Sequence, residues 1–182
     1  VDAIRKAGGE VFALTSEPQS LATEAEEAWE IGFPSIGDPH HEIRGTCQKR
    51  GFLNLFANED YGHLRARSWA SHIKGYFQPG VLALTNEGRV LYRWRCRPTY
   101  GNMSGAGQRP TPQYVWAQMQ TQLTDDTGDA DLDESPEFRL QDLSWPVFLA
   151  ILLAHGWFLR PRALPIAREG DKPSAQLQSV KR

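Results

Sequence analysis

Residues 80–95, which read GVLALTNEGRVLYRWR, contain the pattern that decides the fold class. An apolar run at 80–85 and a partly alternating run at 89–95 flank a short loop that contains Asn86 and Gly88. Two such runs joined by a loop of this kind are typical of an antiparallel hairpin. The sequence therefore predicts two paired strands, followed by a helix over residues 111–123 whose apolar side chains share one face.

The residues before the hairpin alternate between strand and helix patterns. Residues 10–15 form a short apolar run that suits a buried parallel strand. Three further elements are predicted after it: a helix capped by Ser16 with Pro18 in its first turn, a strand near residues 33–36, and a helix that begins at Asp38 and ends at Gly51. Strand, helix, strand and helix in this order favour a parallel sheet with right-handed crossovers.

The composition excludes several classes of protein. The 182 residues carry a formal net charge of −2, which gives no reason to expect binding to nucleic acid. Two cysteines are too few for a disulfide-stapled scaffold, and their spacing matches no metal motif. No secretory signal is visible, so the sequence predicts a cytoplasmic protein. Residues 1–7 resemble the last turns of a helix ended by Gly8 and Gly9, and we therefore expect a fragment or a processed form.

Four segments are predicted along the chain. They are an N-terminally incomplete α/β domain over residues 1–123, an acidic linker over 124–140, an apolar helix with a proline-containing segment over 141–167, and a flexible tail over 168–182. The apolar run from residue Trp145 to residue Leu159 is too short for a comfortable membrane span. We expect it to pack on the domain, across a homodimer or against a partner protein, with contact to a membrane surface as the less favoured alternative.

The order of these elements and four short stretches resemble the thioredoxin superfamily. The stretches are VFALTS at 11–16, FPSIGDP at 33–39, QPGVLAL at 78–84 and EGRV at 87–90. In particular, residues 1–123 are similar to the peroxiredoxin-like proteins of the alkyl hydroperoxide reductase and thiol-specific antioxidant group. The resemblance implies a thioredoxin-like three-layer fold, in which one mixed sheet combines a βαβ half with a terminal hairpin and helix. A C-terminal helical extension would follow.

The resemblance also implies a function and a site. Pro79 would be the cis-proline that faces the active site in this superfamily, with Gln78 beside it. The family's catalytic cysteine lies at the start of the first long helix, where the helix N-terminus lowers the thiol pKa, and it has no counterpart in residues 1–182. The expected function is a thiol-dependent oxidoreductase that reduces peroxides or exchanges disulfides, with its nucleophile upstream of Val1 and no cofactor.

An alternative function is a non-catalytic, thioredoxin-like binding or structural module. Such a module would hold a partner through the arginine side chains of the second hairpin strand and through the apolar run at 145–159. Fold resemblance alone does not decide between the two functions, because one scaffold hosts many activities.

The two cysteines allow more than one interpretation. Cys47 lies on a predicted helix, four residues from Ile43 and on the same face. Cys96 continues the apolar face of Val90, Tyr92 and Trp94 by the two-residue alternation of a strand. Core packing is the simpler interpretation for each thiol, and a redox role or a disulfide between them stays open.

Arginine side chains lie on the other face of the same strand. Arg93, Arg95 and Arg97 share this face, together with Arg89, and Arg109 follows a glycine-rich loop at residues 101–107. A solvated edge or a dock for the acidic linker is one interpretation. The other is an anion-binding site formed by Arg93, Arg95, Arg97 and Arg109. His40 and His41 are expected to make capping contacts, and no metal site is predicted.

Overall fold

The structure is a computed structural model, and it describes residues 1–58, 72–97, 109–125 and 127–136. In chain order its elements are α1 (Asp2–Lys6), β1 (Ala13–Thr15), α2 (Gln19–Ala28), β2 (Ser35–Gly37), α3 (Glu42–Lys49), β3 (Ala57–Asn58), β4 (Tyr76–Phe77), β5 (Gly80–Leu84), β6 (Val90–Arg95) and α4 (Pro112–Asp125). The protein is therefore mixed α/β, as predicted. The described residues divide into two compact units, the first over 1–45, 57–58 and 72–77, and the second over the rest.

The first unit contains the predicted strand–helix–strand sequence. β1 and β2 pair in parallel, with Leu14 opposite Ile36, and α2 connects them. Leu21, Ala22 and Ala25 form the buried stripe of α2, because residues three and four positions apart share one face of a helix. β3 and β4 form a short antiparallel pair in the same unit.

Side chains of α2 make hydrogen bonds with the backbone groups on the outer edge of β2. The Gln19 amide accepts a hydrogen bond from the Gly37 N–H at 2.8 Å and donates one to the Ser35 carbonyl at 2.9 Å. The Glu26 carboxylate accepts the Ser35 N–H at 2.8 Å. Because buried or half-buried backbone groups need partners, these two side chains replace a neighbouring strand.

The second unit is formed around the predicted hairpin. β5 and β6 pair antiparallel, with Val81 opposite Trp94 and Ala83 opposite Tyr92. The connecting turn closes through the Thr85 N–H and the Arg89 carbonyl at 2.9 Å. α4 packs on one face of the hairpin. The cluster on this face contains Tyr92, Trp94, Cys96, Val81, Ala83, Tyr114, Val115 and Met119.

The described part of the predicted acidic linker is mostly exposed, but part of it pairs with a strand. α4 continues to Asp125, and the following segment lies along the outer edge of β6. The N–H groups of Ala130 and Asp133 donate to the carbonyls of Val90 and Arg93, each at 2.9 Å. The Asp129 carboxylate accepts the Val90 N–H at 2.7 Å. An acidic composition predicts a solvated linker, but it does not show that an acidic side chain such as that of Asp129 accepts a hydrogen bond from a strand edge.

The described strands form three two-stranded sheets, whereas the resemblance implies one mixed sheet. The single mixed sheet is therefore not confirmed and stays a prediction. Among the described residues, the outer edges of β2 and β6 are closed by side chains or by an irregular segment.

No helix within the described ranges is long and apolar enough to cross a membrane. The predicted apolar helix and tail at 141–182 lie outside the described residues, as does the expected partner contact through residues 145–159.

Replacing Gly37 with Ala should destabilise the first unit. A Cβ at this position would lie 2.5 Å from the Gln19 backbone N and 2.6 Å from the Glu17 carbonyl O, and a backbone contact of this kind is not relieved by a side-chain rotation. We expect a loss of about 1–3 kcal/mol in the free energy of unfolding, measured in urea. The matched control is Gly45→Ala on α3, where a Cβ meets nothing within 4 Å. This control should gain about 0.5–1 kcal/mol from helix propensity, and equal effects of the two changes would contradict the assigned contact.

Candidate functional site

The carboxyl ends of β1 and β2 form the candidate site in the first unit. Ser16 follows β1 and Asp38 follows β2, so parallel pairing brings both residues to one edge of the sheet. Ligand sites of open α/β sheets lie at this edge. His41 and His72 belong to the same unit, and each makes a hydrogen bond there.

Ser16 is at the centre of a buried hydrogen-bond chain. Its Oγ accepts the N–H of Phe77 at 3.1 Å and lies 2.9 Å from Nδ1 of His72. The donor and acceptor roles of the hydroxyl and the ring nitrogen follow the tautomer of His72. The prediction that Ser16 caps the next helix is wrong, since α2 has Pro18 at its N-cap and no side-chain cap there. The hydroxyl instead connects the end of β1 to residues 72–77.

His72 is held as a neutral imidazole. Burial lowers its pKa to about 4, a hydrogen bond with the Ser16 backbone opposes this shift, and the charge of His41 adds to it. The Glu17 carboxylate lies 3.7 Å from Nε2, which would favour the charged ring. Burial outweighs this contact, because a charged ring that is 7% exposed loses most of its hydration.

Asp38 and His41 shape the start of α3. The buried Asp38 carboxylate accepts the N–H groups of Glu42 at 2.7 Å and Arg44 at 3.0 Å. The helix itself begins at Glu42 and not at Asp38 as predicted. His41 lies immediately before the helix in a left-handed conformation with φ of 60°. Its Nε2 donates to the Gly75 carbonyl at 3.1 Å, and burial lowers its pKa. The predicted capping role is therefore performed by Asp38, and His41 fixes the adjacent backbone.

The order Ser16, His72, Glu17 follows the nucleophile, base and acid order of a hydrolase triad. Ser16 is only 2% exposed, however, and its oxygen also accepts a backbone N–H. A substrate carbonyl has no approach to such an oxygen, so the chain of bonds acts as a structural connection. Within the described ranges no three His, Cys, Asp or Glu side chains converge to hold a metal ion.

The structure places the two cysteines in different environments. Both are thiols. Cys96 is 2% exposed in the cluster with Tyr92 and Trp94, as its place in the strand alternation predicts. Cys47 is partly exposed on α3, a helix without buried residues, so the core interpretation does not hold for it. Sequence spacing places Cys47 on the same helix face as Ile43, but it does not show how exposed that face is.

Gln78 and Pro79 lie at the start of β5. No peptide bond of the described residues is cis, so the bond between them is trans, and the cis-proline implied by the resemblance is wrong here. The Gln78 N–H donates to the Phe56 carbonyl at 2.8 Å, and the Pro79 carbonyl accepts the Cys96 N–H at 2.8 Å. The trans bond allows this regular ladder pairing. The Gln78 side chain is buried, and its Nε2 has no acceptor among the described residues.

The arginine face binds backbone carbonyls of the same unit. Arg93 Nη1 donates to the Gly51 carbonyl at 2.7 Å. Arg95 Nη1 donates to the Asn54 carbonyl at 2.6 Å, and its guanidinium lies 4.7 Å from the centre of the Phe56 ring. These contacts show that two predicted anion-binding arginines hold residues 51–56 against the hairpin.

The other predicted arginines are placed elsewhere. Arg89 donates to the Gln122 carbonyl of α4 at 3.3 Å. Arg97 and Arg109 are exposed, and residues 98–108, which include the glycine-rich loop, lie outside the described residues. Although Arg109 is exposed as a residue, partial desolvation of its guanidinium lowers its pKa, while its electrostatic interaction with Cys96 acts in the opposite direction.

A second polar cluster, around Asp133, has no signal in the sequence. The Asp133 Oδ2 accepts the hydroxyl protons of Tyr92 and Tyr114, each at 3.0 Å. Burial, together with the Asp133 carboxylate, raises the pKa of Tyr92. Strand alternation predicts that Tyr92 faces the core, but nothing local identifies its acceptor 41 residues later.

No protein-family model matches the chain, and neither a curated protein nor a solved structure does. The function must therefore be argued from the residues and contacts described above.

Replacing His72 with Asn should remove a pH-dependent part of the stability. The unfolded imidazole has a pKa near 6.5 and the folded one about 4, so the unfolded state binds the proton more readily between these values. The contribution of the neutral His72 ring to the free energy of unfolding is present above pH 6.5 and is lost as the pH falls towards 4. From pH 7 to pH 5 the wild type should lose about 2 kcal/mol more than His72→Asn in urea unfolding.

The control for this experiment is His40→Asn, which changes an exposed histidine. It should leave the difference between pH 7 and pH 5 as in the wild type. An identical pH response in wild type and His72→Asn would show that the buried ring does not control acid stability.

Proposed function

We propose that this chain is part of a thioredoxin-like, thiol-dependent oxidoreductase that reduces peroxides or exchanges disulfides. Its nucleophilic cysteine would lie upstream of Val1. The observation that supports the proposal is the order of elements. A parallel strand–helix–strand unit, β1–α2–β2, comes first, and the β5–β6 hairpin with α4 on one face comes last. These are the two halves that the family resemblance implies.

The environments of the two thiols argue against either of them as the nucleophile. Cys96 is buried in an apolar cluster, where a peroxide or a protein disulfide has no access and the thiolate is disfavoured. Cys47 lies in the last turn of α3, at the helix end whose partial negative charge also disfavours a thiolate. An activated thiol of the kind found at a helix N-terminus must therefore come from elsewhere in the protein.

The alternative, a binding module that uses the arginine face, has less support. Arg93 and Arg95 already donate to carbonyls of residues 51–54, so a ligand would have to compete with these bonds. The other proposed partner surface, residues 145–159, lies outside the described residues.

The test uses the full-length protein, including any residues that its gene encodes before Val1. We expect it to consume hydrogen peroxide with dithiothreitol as reductant, or to reduce insulin disulfides. The double variant Cys47→Ser/Cys96→Ser should keep its rate within about twofold, since neither thiol is assigned to chemistry. Replacement of an upstream cysteine by Ser should abolish turnover.

Each contrary result has a separate meaning. If the double variant loses activity while the wild type is active, the nucleophile lies within residues 1–182 and its proposed location is wrong. If the wild type is inactive in both assays, the oxidoreductase proposal fails and the binding module becomes the better explanation.

A further inference from the structure

The Asp133 carboxylate is the common acceptor of two phenols in the second unit. Its Oδ2 accepts the hydroxyl protons of Tyr92 on β6 and Tyr114 on α4, each at 3.0 Å, and the two rings meet edge to face with their centroids 6.3 Å apart. Its Oδ1 accepts the Ser135 N–H at 3.1 Å, and its backbone N–H donates to the Arg93 carbonyl at 2.9 Å. These bonds hold one carboxylate oxygen in place between two phenols.

This carboxylate has no competing charge partner. Among the described residues, no lysine, arginine or histidine forms an ion pair with Asp133. A proton that leaves either phenol therefore has an acceptor at hydrogen-bond distance, and its uptake by the carboxylate breaks no ion pair in this part of the chain.

The two phenols differ in exposure. Tyr92 is 3% exposed, and burial together with the Asp133 carboxylate raises its pKa, so it keeps its proton and continues to donate to Asp133. Tyr114 is partly exposed on α4, so an oxidant in solution can approach its ring. One phenol is therefore a fixed donor, and the other is accessible.

The surrounding apolar cluster is rich in oxidisable side chains. Five of its eight members are tyrosine, tryptophan, cysteine or methionine: Tyr92, Trp94, Cys96, Tyr114 and Met119. Leucine, isoleucine and phenylalanine, the usual large residues of a core, are absent from this described cluster. The three members on β6 follow one another at intervals of about 7 Å on one face of the strand, a distance over which electrons pass readily between side chains.

We propose that Tyr114 and Asp133 form a redox site at which Tyr114 reduces a strong one-electron oxidant, such as a radical derived from a peroxide. The Tyr114 O–H bond breaks, one electron passes to the oxidant, and the proton forms a new O–H bond at Asp133 Oδ2. The products are a neutral tyrosyl radical, a neutral carboxylic acid and the reduced oxidant. An external one-electron reductant, such as ascorbate, then supplies an electron, and Asp133 returns the proton.

Asp133 makes this step favourable because a phenol that loses only its electron becomes a radical cation, which is a much stronger acid than the phenol itself. The carboxylate at 3.0 Å removes that proton within the same hydrogen bond. Tyr92 is a positioning residue, since its hydroxyl keeps Oδ2 in place. The site goes beyond the thiol chemistry proposed above and does not depend on it.

The test generates azide radicals by pulse radiolysis in a solution of the 182-residue protein. The tyrosyl radical is followed by its optical absorption and its electron paramagnetic resonance signal, and the part assigned to Tyr114 is the part that Tyr114→Phe loses. This part should form more slowly in deuterium oxide, because the O–H bond breaks in the same step. Asp133→Asn should slow it by at least about tenfold, since the amide takes up no proton.

Matched variants separate the chemistry from the fold. Asp131→Asn changes an exposed carboxylate of the same segment, and Tyr76→Phe changes a tyrosine of β4 in the first unit, so both should keep the wild-type rate and isotope effect. Asp133→Glu keeps a carboxylate and should recover most of the rate that Asp133→Asn loses. Tyr92→Phe keeps both reacting groups and should slow the reaction less than Asp133→Asn.

Three outcomes would overturn the proposal. They are a Tyr114→Phe protein that forms as much tyrosyl radical as the wild type, an Asp133→Asn protein that reacts as fast as Asp131→Asn, and an Asp133→Glu protein that reacts no faster than Asp133→Asn. The last would show that the slower reaction comes from disturbed packing and not from the loss of a proton acceptor.

Discussion

Each described strand has a single strand partner, and the structure depends on how the second edge of each strand is satisfied. A backbone N–H or C=O without a partner costs free energy when it leaves water. β2 meets this constraint through the Gln19 and Glu26 side chains, and β6 meets it through the segment that contains Asp129 and Asp133. These contacts explain how the edges of very short sheets are satisfied without further strands.

The same constraint explains the buried polar groups of each unit. The Ser16 hydroxyl satisfies both the Phe77 N–H and the neutral ring of His72. Asp133 accepts two tyrosine hydroxyl groups in the second unit. A satisfied buried network fixes one arrangement, because any alternative leaves a donor or acceptor unpaired. The residues that look catalytic in isolation, Ser16 and His72, therefore connect a loop to a strand.

Local patterns could predict the elements but not their partners. The apolar run at 10–15, the loop around Asn86 and the alternation up to Cys96 identified a parallel strand, a hairpin and a buried thiol. The bond from Ser16 to His72 spans 56 residues and has no periodic signal. The cluster of arginines suggested an anion site. Arg93 instead donates to a backbone carbonyl, and such an acceptor has no sequence signal because every residue carries one. Local patterns also do not show which strand edges are closed by side chains, because such closure is a tertiary property.

The most direct test of edge closure is the free energy of unfolding of Glu26→Ala compared with Glu27→Ala. Both changes alter helix propensity equally, but only Glu26 accepts the Ser35 N–H, and Glu27 is exposed. If α2 closes the edge of β2, Glu26→Ala should be less stable than Glu27→Ala by about 1–2 kcal/mol, and the Ser35 amide should exchange faster with solvent. Equal stability and equal Ser35 exchange in the two variants would contradict this account of how the sheet is held.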